Sequence, residues 1–172
     1  MQEDRNTIID KVAQYLHWLT IPKQEFGNMP VCPYLDKEMR DNLLYIDIWY
    51  PHENSFMDIM ESFLLSGKNS ALVICPNTHT IDYSEVSRKT IQKQITDLLR
   101  KNPHTDYLKS MIFSPYEDFE VAGVKTRSGA PYFLINVAPT KQLGKSHKDL
   151  KKTKYFDNFS DEDKQRLNVP KK

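Results

Sequence analysis

Three short segments of the chain contain residue types that could bind or react with a small molecule. The first contains Cys32, the second Tyr116, and the third Arg127 and Ser128. A thiolate is a nucleophile, and a tyrosine hydroxyl donates a proton or a hydrogen bond. A guanidinium can bind a carboxylate or phosphate with two parallel hydrogen bonds. We therefore predict that Cys32 and Tyr116 contact the reactive part of a ligand, while Arg127 and Ser128 bind its anionic group.

Each of these residues also has a plainer interpretation. A free cysteine is usually buried as a small apolar side chain, and a tyrosine often buries its ring and satisfies its hydroxyl locally. Arg127 can form a structural salt bridge with one of three nearby acids, Glu117, Asp118 and Glu120. The sequence leaves both interpretations open for Cys32, Tyr116 and Arg127.

Motifs of better-known chemistry are scarce in this chain. Cys75 and His79 have a spacing that occurs in zinc sites, but a structural zinc ion needs two more ligands and there is no second Cys/His pair. There is also no glycine-rich phosphate loop and no nucleophile elbow. We predict no metal site, and the sequence identifies neither a cofactor nor a reaction.

Apolar periodicity indicates the elements that must position the three segments. Helical spacing predicts helices over residues 7–19 and 55–66, and a third from Asp82 to the Asn102-Pro103 break. Short runs rich in aromatic and β-branched residues predict strands at 43–50, 71–75, 107–113, 119–124 and 132–137. The alternation predicts an α/β fold, a mixed sheet with helices packed on it in the order α-β-α-β-α-β-β-β.

Local signals refine the ends of these elements. Asn6 or Thr7 is the expected cap of the first helix, and Ser55 with Asp58 forms a capping-box pattern at the second. Gly67 suits the position just beyond that second helix. Residues 22–41 are interrupted by glycine and prolines, and we expect them to be irregular.

Charge divides the chain unevenly. Residues 139–172 contain ten basic and five acidic residues, whereas the preceding part is slightly acidic. We predict an α/β domain over residues 1–138 and a basic polar tail over 139–172, with a short helix near Ser160 and an aromatic cluster that docks on the body. Six tail lysines could contact nucleic acid or an acidic protein, namely Lys141, Lys145, Lys148, Lys151, Lys152 and Lys154.

Several segments taken together resemble an uncharacterised bacterial family. Its members have a Trp-Leu pair, then Cys-Pro-Phe, Phe-His-Pro-x-Tyr-x-Phe and Asn-Arg-Ser-Pro-Tyr-Pro motifs. The matching residues here, in the same order, are Trp18-Leu19, Cys32-Pro33-Tyr34, Phe113-x-Pro115-Tyr116-x-x-Phe119 and Arg127-Ser128. Ser114 replaces the family's histidine, so that histidine's chemistry is not available to this chain. The resemblance implies a fold but no reaction.

Two classes of function therefore remain open. The first is a domain or enzyme that binds an anionic small molecule near Cys32, Tyr116 and Arg127. The second is a non-catalytic module that binds an acidic partner or nucleic acid through its lysine-rich tail. The polar N-terminus and the lack of an apolar run of roughly 20 residues predict a cytoplasmic protein that does not enter membranes. The sequence does not predict an oligomeric state.

Overall fold

The computed structural model describes residues 3–76, 85–115, 119–126 and 129–169. The helices are α1 (Arg5–Thr20), α2 (Pro33–Arg40), α3 (Phe56–Leu65), α4 (Glu85–Lys101), α5 (Thr140–Leu150) and α6 (Asp161–Arg166). The strands are β1 (Pro22–Lys23), β2 (Met29–Pro30), β3 (Leu44–Ile48), β4 (Ser70–Cys75), β5 (Leu108–Phe113), β6 (Glu120–Val121), β7 (Val124–Lys125) and β8 (Phe133–Pro139). The prediction of a single α/β domain is confirmed.

Four strands form the main sheet in the spatial order β3-β4-β8-β5. β3 and β4 are parallel, while β8 runs antiparallel to both of its neighbours, with Asn136 opposite Leu72 on one side and Met111 on the other. The sheet is therefore mixed, as predicted. The remaining strands form two short antiparallel pairs, β1 with β2 and β6 with β7.

Helices α3 and α4 cover one face of this sheet. The N-cap of α3 is Ser55, which forms the predicted capping box with Asp58, and the helix ends before Gly67, whose φ of 68° lies in the left-handed region. Its apolar side packs with α4 on alternate residues of β4, β5 and β8. Cys75 belongs to this core, as its position at the end of an apolar run predicts.

Helix α1 covers part of the opposite face. Its buried residues Ile8, Val12, Tyr15, Leu16 and Leu19 contact the β4 and β8 side chains that point away from α3 and α4. The helix begins earlier than predicted because its cap is Asp4, whose carboxylate accepts from two backbone N–H groups of the first turn.

Residues 22–41 are more regular than expected. The sequence prediction of an irregular segment is wrong for residues 33–40, which form α2. Pro33 occupies the first turn of this helix. Backbone N–H groups in the first turn have no acceptor within the helix, so a proline there costs no hydrogen bond. A second correction concerns residues 119–124. They do not form one strand, because the turn at Ala122-Gly123 divides them between β6 and β7.

The segment from residue 139 to residue 169 packs against the rest of the protein. The Tyr34 hydroxyl donates to the Ser146 carbonyl at 2.7 Å, and the Tyr155 hydroxyl donates to the Val31 carbonyl. Tyr155, Phe156 and Phe159 form an aromatic cluster around Phe26, with ring centroids 5.3 Å apart for Phe26 and Tyr155. The predicted docking of this aromatic cluster is confirmed, and the predicted short helix near Ser160 is α6.

Candidate functional site

A cavity of about 280 Å³ lies on the sheet face that α1 covers only in part. Its walls come from β4, β5 and β8, from α1, α2 and α5, and from the aromatic cluster after α5. Most of its lining is aliphatic or aromatic, including Leu16, Leu72, Phe113, Leu134 and Phe159. A concave apolar surface of this kind favours ligands with a substantial hydrocarbon part.

The cavity follows the direction of β8. Leu134, Asn136 and Ala138 are alternate residues of that strand, so their side chains share one face, and all three line the cavity. Leu134 and Ala138 are four residues apart, which corresponds to about 13 Å along a strand. The site is therefore elongated, with one end near Leu134 and the other near Ala138.

A polar group of side chains lies at the Ala138 end. Glu38 of α2 accepts hydrogen bonds from the hydroxyl of Ser70 on β4 and from the amide of Gln142 on α5, the latter at 2.6 Å. Ser70 is buried, Glu38 and Gln142 are half-buried, and all three line the cavity together with Asn136. Side chains from two other elements, β4 and α5, thus hold the Glu38 carboxylate in place.

Tyr15 of α1 and Thr126, the residue after β7, also line the cavity. The Tyr15 hydroxyl donates to the backbone carbonyl of Thr126 at 3.0 Å. The Thr126 amide in turn donates to the Phe119 carbonyl at 3.0 Å. These hydrogen bonds position the loop that leads to residues 127 and 128.

Cys32 lies in the cavity wall at the start of α2. Its backbone N–H donates to the Leu19 carbonyl at 3.1 Å, which fixes the turn between α1 and α2. Burial raises the pKa of the Cys32 thiol, and the nearby carboxylate of Glu38 raises it further. A raised pKa disfavours the thiolate, so the surroundings of Cys32 suit a packed thiol better than a nucleophile.

The other three predicted site residues, Tyr116, Arg127 and Ser128, lie outside the described residues, and their roles stay predictions. Their described neighbours are informative, however. Phe113 and Phe119 on either side of residue 116, and Thr126 before residue 127, line the same cavity as Cys32.

Sequence reasoning missed the polar group at the Ala138 end. Glu38 lies on a helix that was not predicted, and Gln142 lies in the segment that was assigned to a tail. Only Asn136 left a signal, because it is a polar residue inside an otherwise apolar strand, facing the sheet side that holds the cavity.

The lysine-rich segment has its own geometry. Lys141, Lys145 and Lys148 recur at the spacing of one helical face, and all three are exposed on α5. His147 is also exposed, and its pKa is lowered first by partial burial and then by the charge of Lys109. The outer side of α5 is therefore a basic surface above the cavity.

No described helix is long and apolar enough to span a bilayer. Within the described ranges, no group of three His, Cys, Asp or Glu side chains is arranged to hold a metal ion. No protein-family model matches the chain, and neither a curated protein nor a solved structure matches it.

Proposed function

We propose that the protein binds a small, mainly apolar molecule in the cavity along β8. The observation that carries this proposal is the cavity itself, with its volume of about 280 Å³ and its aliphatic and aromatic walls. An engineered cavity of about 150 Å³ binds benzene, so by proportion this one suits a molecule of roughly ten carbon atoms. Cys32 lines this cavity, and so do the described residues nearest to Tyr116 and Arg127 in sequence, namely Phe113, Phe119 and Thr126.

In this proposal Arg127 and Ser128 bind an acidic group of the ligand, and Cys32 and Tyr116 contact its body. Among the residues that the structure describes, the cavity lining contains no lysine or arginine, so an acidic group would depend on Arg127. Arg127→Lys keeps the positive charge but loses the planar guanidinium that can form two hydrogen bonds to one carboxylate. We expect it to weaken octanoate binding about tenfold or more without changing the unfolding midpoint. Unchanged affinity would remove Arg127 from the site.

The main test is titration calorimetry of the full chain with 1-octanol. We expect saturable binding in the wild type, and at least tenfold weaker binding in Ala138→Leu, whose larger side chain would fill the Ala138 end. Ala13→Leu is the matched control, because Ala13 is exposed on α1. Absence of binding in the wild type, or equal affinity in both variants, would contradict the proposal.

A second candidate function rests on the basic surface of α5. Lys141, Lys145 and Lys148 form an exposed row that suits a polyanion, either nucleic acid or an acidic protein. This function does not require the cavity, and the two can be tested separately.

We also propose two assignments that go beyond the fold. The first is kinship with the uncharacterised bacterial family, supported by the order of the Trp18-Leu19, Cys32-Pro33, Pro115-Tyr116 and Arg127-Ser128 motifs. The second is a cytoplasmic location. It is supported by two cysteines that are not joined in a disulfide and lie on different sides of the main sheet, Cys32 and Cys75.

A further inference from the structure

We propose that the ligand of this cavity has a protonated amine that pairs with Glu38. The inference rests on the proposed small-molecule function and names the chemical class of its ligand. Its basis is a half-buried carboxylate in an apolar wall, held by two neutral donors, the Ser70 hydroxyl and the Gln142 amide.

The hydrogen-bonding capacity of Glu38 is only partly used. Each oxygen of a carboxylate can accept about two hydrogen bonds. In the structure one oxygen accepts from Ser70 and the other from Gln142. Each oxygen therefore keeps the capacity for one further donor, and the cavity is the space that these residues line.

The charge of Glu38 is also not balanced by its described neighbours. Within residues 3–76, 85–115, 119–126 and 129–169, no lysine, arginine or histidine nitrogen forms an ion pair with this carboxylate. His147 also lines the cavity, but its lowered pKa keeps the ring mostly neutral at neutral pH. A ligand cation would supply the missing charge.

An ammonium group satisfies both requirements at once. It donates up to three hydrogen bonds, and bonds between two charged partners are shorter and stronger than neutral ones. A hydroxyl supplies a donor without a charge, whereas a ligand carboxylate at the same place would be repelled. The site should therefore rank amine above alcohol when the hydrocarbon part is the same.

The position of Glu38 is defined before a ligand arrives. Ser70 belongs to β4 of the main sheet, and Gln142 belongs to α5, which is distant from α2 in sequence but lies next to it in the fold. Bonds from two different elements restrict the rotamers of the carboxylate. Such restriction reduces the entropy that ligand binding must overcome.

The test compares n-octylamine with 1-octanol by titration calorimetry at pH 7 on the full chain. We expect octylamine to bind at least tenfold more tightly than octanol in the wild type. Glu38→Gln removes the charge and should bring the affinities for octylamine and octanol within about threefold of each other. The control is Glu61→Gln, an exposed residue on α3 across the sheet, which should keep the wild-type preference.

The outcomes separate this inference from the function on which it rests. Binding of neither ligand would overturn the small-molecule function. Equal affinities in the wild type, or an amine preference that survives Glu38→Gln, would overturn the amine alone. A purely structural Glu38 would change the unfolding midpoint without changing the ratio of the two affinities.

A measurement on the wild type covers the case in which Glu38→Gln does not fold. With carbon-13 in the glutamate carboxyl groups, octylamine should shift the Glu38 resonance at saturation, and octanol should shift it much less. A Glu38 resonance that octylamine leaves unmoved would overturn the inference.

Discussion

The carboxylate of Asp163 accepts a hydrogen bond from the backbone N–H of Ala122 at 3.2 Å, which links α6 to the β6–β7 hairpin. Arg166 strengthens the link, because its guanidinium bonds to Asp163 at 2.8 Å and lies 4.3 Å from the centre of the Phe119 ring. Phe119 and Val121 of this region line the cavity. The last helix therefore holds part of the cavity wall in place.

The first prediction concerns acid stability. Partial burial raises the pKa of Asp163, but hydrogen bonds from Ala122 and Ser160 and the charge of Arg166 outweigh it, so the pKa is lowered overall. Because the pKa of Asp163 is lower in the folded than in the unfolded protein, its carboxylate stabilises the fold at pH values above the unfolded-state pKa of about 3.9. This stabilisation is lost as the pH falls through the folded-state pKa. We expect Asp163→Asn to be less stable than the wild type at pH 7, and the difference to shrink near pH 3.

Urea unfolding at both pH values measures this effect. Asp157→Asn is the control, because Asp157 is an exposed carboxylate in the same segment. Glu3 and Asp4 also have lowered pKa values. Their loss of stabilisation at low pH is the same in every variant and cancels in the comparison. A difference between Asp163→Asn and wild type that is the same at both pH values would contradict the assignment.

The second prediction concerns the contact between Gly27 and the segment after α5. A Cβ atom on Gly27 would lie 2.5 Å from the carbonyl oxygen of Lys154, and the φ of Gly27 is 65°. Gly67 has a similar φ of 68° but no atom within 4 Å of its Cβ position. Gly27→Ala and Gly67→Ala therefore share the conformational cost, and only Gly27→Ala also has a steric clash.

We expect Gly27→Ala to lower the free energy of unfolding by about 1–3 kcal/mol more than Gly67→Ala, the usual cost of overpacking. Chemical denaturation of both variants gives the difference. Equal losses would show that residues 139–169 are not held against the body at this point.

The third prediction uses two alanines on opposite faces of the sheet. Ala138 lines the cavity, whereas Ala71 is fully buried in the core under α3 and α4. Ala138→Leu should raise the free energy of unfolding by about 0.5–2 kcal/mol because its added carbons fill available space. Ala71→Leu should lower it by about 1–3 kcal/mol through overpacking. Destabilisation of both to the same extent would argue against a cavity beside Ala138.

The fourth prediction tests the basic surface of α5. The triple variant Lys141→Glu, Lys145→Glu and Lys148→Glu should lose affinity for single-stranded poly(U). The plot of log binding constant against log salt concentration should become shallower, its slope falling in magnitude by about two. The control reverses three exposed lysines elsewhere, Lys37, Lys93 and Lys101. Fluorescence anisotropy over a range of salt gives the slopes. Equal slopes in both triple variants would remove the surface from consideration.

The fifth prediction concerns the thiols. Because burial raises the pKa of Cys32, we expect iodoacetamide to modify it at least tenfold more slowly in the folded protein than in urea at pH 8. Burial also raises the pKa of Cys75, which is 2% exposed and should react more slowly still. Octanol should protect Cys32 further. Peptide mass spectrometry follows both sites, and a folded-state Cys32 rate above the urea rate would favour a nucleophilic role.

Local sequence signals predicted the elements whose stability is local. The capping box at Ser55 and the apolar run of β4 gave the correct element types, because hydrogen bonding to the first turn and burial on both faces leave patterns within a few residues. α2 left no such pattern, since none of its residues is fully buried, Pro30 precedes it and Pro33 is its first residue.

The polar end of the cavity was beyond sequence reasoning for a different reason. Glu38 and Gln142 are 104 residues apart, and their hydrogen bond exists only because α5 packs beside α2. A charge count instead grouped Gln142 with a basic polar tail. Long-range pairs of this kind have no periodic signature, so the structure is needed to find them.

The position of β8 has a consequence for how the chain folds during synthesis. β8 is the last strand of the main sheet in sequence, yet it lies between β4 and β5 and pairs with both. Until β8 has left the ribosome, both of those strands present unpaired backbone groups and apolar side chains. Ribosome-bound chains that end before Phe133 should therefore depend most on chaperones, since exposed strand edges promote aggregation.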